Sequence, residues 1–102
     1  HLLAAYFEWG SPDSARERLR EHIAFFTAAR ASAEQQAREI RERTSATLER
    51  RLAVTDPAER ERVAAYKLFA YEGKISRAEA EIAWARRGLE LLDELDRAPA
   101  EP

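Results

Sequence analysis

Apolar positions recur along most of this chain at spacings of three and four, the period of one face of an α-helix. The clearest run lies toward the C-terminus. There Leu68, Tyr71, Ile75, Ala78, Ile82, Ala85, Leu89 and Leu92 form an unbroken three-four row, the pattern of coiled-coil-like packing. A second row occupies nearly the opposite face of the same segment: Tyr66, Ala70, Gly73, Ala80, Trp84 and Leu91, interrupted by Arg77 and Arg87. A helix with two apolar faces needs two neighbours. Upstream, a thinner row runs through Leu19, Ile23, Phe26, Ala33, Ala37 and Ile40, with Arg30 breaking it. It then drifts through Thr44 to Leu48 and Leu52, a four-four spacing that predicts a stutter within a continuous helix. Near the start, Leu2, Leu3, Tyr6 and Phe7 share one face of a short helix ending near Trp9.

Two clusters of helix-breaking and capping residues divide these rows. In Gly10-Ser11-Pro12-Asp13, glycine suits the end of one helix, and serine followed by proline suits the start of the next. In Thr55-Asp56-Pro57-Ala58-Glu59, Asp56 is a helix cap, Pro57 a first helical residue and Glu59 completes a capping-box-like pattern. The spacing therefore predicts a first long helix from Pro12 to about Ala53 and a second from Pro57 to about Arg97. Each would be roughly 60 Å long at 1.5 Å per residue.

The predicted fold class is all-α. The turn near Asp56 folds the second long helix back along the first as an antiparallel hairpin, which satisfies one row. The short N-terminal helix covers only part of the other. The remaining strip predicts a coiled-coil-like homodimer, the commonest closed assembly. The seam residues expected in the core and dimer contact are Tyr66, Leu68, Tyr71, Gly73, Ile75, Ile82, Trp84, Leu89, Leu91 and Leu92.

Composition narrows the picture. Residues 1–102 suit one domain. Hydrophobic residues make up 45% and charged residues 35%, with 3 Gly and 4 Pro, as in long helices. The net charge is −2, which argues against this segment binding DNA by itself. Cysteine is absent, which removes disulfides and Cys-based metal sites and fits a cytoplasmic setting. No apolar run approaches the roughly 20 residues of a membrane span. The chain opens on His1 and contains no Met, so it is expected to be a piece of a longer protein.

One stretch carries a resemblance. Ala70-Tyr71-Glu72-Gly73-Lys74-Ile75-Ser76-Arg77-Ala78-Glu79-Ala80-Glu81-Ile82-Ala83-Trp84, followed by Leu89, Leu91 and Leu92, resembles the end of the helical C-terminal domain of PadR-family transcriptional regulators, a virulence-activator-like domain. Ala85 stands where that family often has leucine. The start is similar too, with Leu2-Leu3, Phe7, Gly10 and a helix opening at Ser11. The resemblance implies a cytoplasmic bacterial regulator, most often a repressor. Such a protein reads DNA through an N-terminal winged helix-turn-helix domain, which would precede His1. Its C-terminal helices hold the dimer and take part in sensing a small effector.

Candidate chemistry changes this little. The two histidines, His1 and His22, have no sequence-local partner, and no phosphate loop, zinc motif or nucleophile elbow occurs. The expectation is no enzyme, no metal and no cofactor. A pocket for an aromatic or drug-like effector would draw on Trp9, Phe26, Phe69 and Trp84. Arg38 to Arg51 is interleaved with glutamates and reads as a solvated face, with Glu34–Arg38 and Glu39–Arg43 as i,i+4 pairs. The rival reading is a free-standing helical adaptor or coiled-coil scaffold, and a winged-helix sequence upstream of His1 would separate the two.

Overall fold

A computed structural model of the chain describes residues 11–97. The expected N-terminal helix, with Trp9, lies outside the described residues. Every described element is helical: α1 (Pro12–Glu42), α2 (Ala46–Ala53), a 3-10 turn (Pro57–Glu59) and α3 (Arg60–Arg97).

The ends of these helices follow from their caps. The Ser14 amide donates to Ser11 Oγ at 3.1 Å, so α1 opens on a serine cap with Pro12 in its first turn. Asp56 accepts from the Ala58 amide at 3.1 Å, and Pro57 leads the turn into α3. Both caps satisfy amides that a helix start leaves without partners.

The first long helix does not continue to Ala53 as the spacing predicts. It stops at Glu42, where Arg43 takes a left-handed φ of 60°. The Thr44 amide then reaches back to the Glu39 carbonyl at 2.8 Å, and the Arg43 amide to Ile40 at 3.3 Å. This is the Schellman closure, with arginine at the position usually held by glycine. Ser45, itself buried, caps α2 by accepting from the Leu48 amide at 3.2 Å. The four-four drift in the sequence is thus a break between two helices and not a stutter.

The packing divides into two compact units, residues 28–78 and the remainder. In the unit built from 11–27 and 79–97, Ala15 and Leu19 of α1 meet Ala85 and Leu92 of α3, with Ile23 and Leu89 against them. Leu19 is fully buried, and a Cβ placed on Gly88 would stand 3.0 Å from one of its methyls. Glycine at 88 therefore sets how closely α3 approaches Leu19. Arg16 covers one end of this core. It pairs with Asp96, Asp93 and Asp13 and donates to the Leu92 carbonyl. The hydrogen bond to Asp96, reinforced by the surrounding carboxylates, holds its guanidinium above the ordinary arginine range.

In the unit of residues 28–78, Ile40, Leu48, Leu52 and Ala64 form the core, flanked by Val63, Leu68 and Tyr71. With the helix broken at Arg43, Leu48 and Leu52 of α2 share this core with Ile40. Arg43 Nε donates to Glu49 at 2.8 Å, which raises its guanidinium above the usual range, and Arg41 reaches Glu72 at 3.2 Å. The expected Glu34–Arg38 and Glu39–Arg43 pairs give way to others. Arg38 donates to Gln35, whose amide donates to Glu39 at 2.7 Å.

Candidate interaction face and aromatic cluster

The two apolar rows of α3 have different fates. From the first row, Ala78, Ile82, Ala85 and Leu92 are buried, while Leu68, Tyr71, Ile75 and Leu89 are half-buried. From the second, Tyr66, Ala70, Ala80, Trp84 and Leu91 are exposed and Gly73 is half-buried. Tyr66 is 68% exposed and Trp84 38%, and Leu95, a further turn beyond Leu91, is 61% exposed. Scattered apolar residues on a surface are ordinary, but a periodic row of large ones on one helix face is a candidate contact surface.

At Trp84 the row joins an aromatic cluster. The His22 ring lies 4.7 Å from Phe26 and 5.7 Å from Trp84, the latter edge-on, and Phe25 stands edge-on to Phe26 at 5.0 Å. His22 Nε2 donates to Glu81 Oε1 at 2.8 Å, and the histidine side chain is 10% exposed. One ring nitrogen is thus engaged by a carboxylate while Phe26 and Trp84 lie against the ring, tilted and edge-on. The arrangement places the His22 ring against Trp84, which remains 38% exposed. The α1 face supplies His22 and Phe26 because they lie four apart, one turn of helix. The sequence alone does not show the Glu81 contact, since the partners are 59 residues apart.

The expected effector-pocket residues distribute as follows. Phe26 and Trp84 share the His22 ring, Phe69 belongs to the unit of residues 28–78 and is 72% exposed, and Trp9 is outside the described residues. Arg87, an interruption of the second row, turns to Glu94 at 3.2 Å. Among the described residues no group of His, Cys, Asp and Glu has the arrangement of a metal site, and no helix is long and apolar enough to cross a membrane. No protein-family model matches the chain, and no curated protein matches it.

Proposed function

We propose that this chain is the dimerisation and effector-sensing portion of a PadR-like, DNA-binding transcriptional regulator, in which α1 and α3 are the arms of an antiparallel hairpin. The exposed Trp84, Leu91 and Leu95 on one face of α3 carry the dimerisation reading, because a second copy of the chain would remove them from water. Contacts within each unit suit such a hairpin: Arg16 meets Asp93 and Asp96, His22 meets Glu81, and Arg41 meets Glu72. The regulator reading rests on the resemblance of residues 70–92 to the PadR C-terminal domain. DNA contact then belongs to a winged domain preceding His1, and the cytoplasm is where such a protein works. The effector-sensing reading rests on the aromatic cluster around His22, whose rings Phe25 and Trp84 are exposed to an aromatic or drug-like effector.

Size exclusion coupled to light scattering tests the first step. The expected mass is that of two chains. A monomeric mass with full helicity retained would refute it. The coding sequence directly upstream of His1 tests the second: a winged helix-turn-helix there supports the regulator, and a dimer without one is a free-standing helical adaptor.

A further inference from the structure

Residues 28–78 are more positive than the chain as a whole. Eleven Lys and Arg against eight Asp and Glu give them +3, while the whole chain carries −2. Several of these cations have evident partners. Arg41 reaches Glu72, Arg43 reaches Glu49 and Glu61, Arg62 reaches Glu59, and Arg60 donates to the Thr55 carbonyl.

Lys67 has none. It stands three residues after buried Ala64 and four before Tyr71, so helical geometry puts it on the stripe of α3 that packs inward. It is half-buried, and among the described residues nothing forms an ion pair, hydrogen bond or ring contact with its ammonium. A half-buried ammonium without a counter-charge is available to pair with an anion that reaches it.

Space for that counter-charge is present on both sides of it. Lys67 lines a cavity of about 250 Å³ walled also by Gln36 and Ile40 of α1, Thr47 of α2 and Tyr71. It also lines a second, of about 210 Å³, with Arg51 and Tyr66. The polar walls of the larger cavity are an amide, hydroxyls and the ammonium, with no carboxylate. The Lys74 ammonium lies 4.9 Å from the ring centroid of Tyr71, one of the lining residues. The surroundings therefore offer donors and positive charge together.

We propose that Lys67 is the anchor of a binding site for a small oxyanion, the carboxylate or phosphate group of a small molecule seated in the larger cavity. An ammonium–oxyanion hydrogen bond is charge-assisted, and partial burial strengthens it. The volume lies below the roughly 300–1,000 Å³ of drug-sized pockets, so the ligand is small. The site stands independently of the dimer and regulator readings.

Titration of the chain with inorganic phosphate, and separately with acetate, tests this at ionic strength held constant with chloride. Proton–nitrogen correlation spectra provide the readout. Saturable shifts are expected at Thr47, Leu48, Lys67 and Tyr71. Saturation by phosphate alone assigns a phosphate ligand, by acetate alone a carboxylate, and by both a general oxyanion site. Lys67→Met should weaken binding at least tenfold. It should also keep the helical spectrum and melt no lower than wild type, since it removes an unpartnered charge from an inward stripe. Lys67→Gln provides the same test with a polar side chain. Absence of saturable shifts with either anion, or wild-type affinity in a folded Lys67 variant, would overturn the proposal.

Discussion

At the scale of single residues, the contact between Leu19 and Gly88 is the tightest constraint on the packing of residues 11–27 against 79–97. Leu19 is fully buried, and two of its methyls would lie 3.0 and 3.4 Å from an added Cβ at 88. Two effects compete in Gly88→Ala. Alanine is the better helix former by about 1 kcal/mol, while overfilling a packed site costs typically about 1–3 kcal/mol. Leu19 has no free surface into which to move, so overfilling prevails and Gly88→Ala lowers stability. Leu19→Ala should cost about 2–5 kcal/mol as a buried large-to-small change. The double variant should then lose less than the two singles combined, because the alanine methyl at 88 enters the space Leu19 vacates. Thermal and denaturant unfolding of the four proteins gives the coupling. Strict additivity would mean that the two residues do not touch.

At the scale of elements, the break between α1 and α2 shows where sequence periodicity stops being informative. Caps at Ser11 and Asp56 are legible because serine, aspartate and proline announce them locally. The inward row of α3 is legible because Ile82, Ala85 and Leu92 recur in strict register. The end of α1 is not, since Arg43 holds a left-handed conformation that glycine normally marks. Nothing in its side chain signals the turn. Its two flanking bonds, to Glu39 and Ile40, and the buried cap of Ser45 supply the compensation. A left-handed backbone costs a residue bearing a Cβ about 1–2 kcal/mol, and glycine removes that cost while adding some freedom to the unfolded chain. Arg43→Gly should therefore leave the melting temperature near that of wild type. Arg41→Gly, two residues earlier in a regular helix, should lower stability by about 1 kcal/mol. Arg43→Val should be the most damaging of the three, since a branched Cβ fits this conformation worst. If Arg43→Gly destabilised as much as Arg41→Gly, the chain would have to pass through residue 43 as continuous helix.

At the scale of the whole molecule, what is left over after each unit packs determines what the protein does. The charge on residues 28–78 and the apolar row on α3 are both surpluses, and only the row was visible as a pattern. Pairings across long separations, His22 with Glu81 and Arg16 with Asp96, leave no trace in local spacing. The row makes a prediction that a purely internal role for its residues does not. Trp84 packs edge-on against His22 yet is 38% exposed, and Leu91, two turns further along the same face, is 40% exposed. In an isolated chain, removing the indole loses only the covered part of its surface. In a symmetric dimer that seals the row, the same truncation removes a fully shielded ring from each chain. Truncating a large aromatic residue in a core costs about 3–5 kcal/mol. Trp84→Ala should therefore shift the monomer–dimer equilibrium strongly toward monomer. Arg38→Ala, on an exposed face and bonded to Gln35, should leave it unchanged. Sedimentation equilibrium on the two variants separates these outcomes. A Trp84→Ala protein that stays dimeric with unchanged thermal stability would remove Trp84 from the contact and leave its exposed surface to a bound effector, visible as quenching of wild-type tryptophan emission.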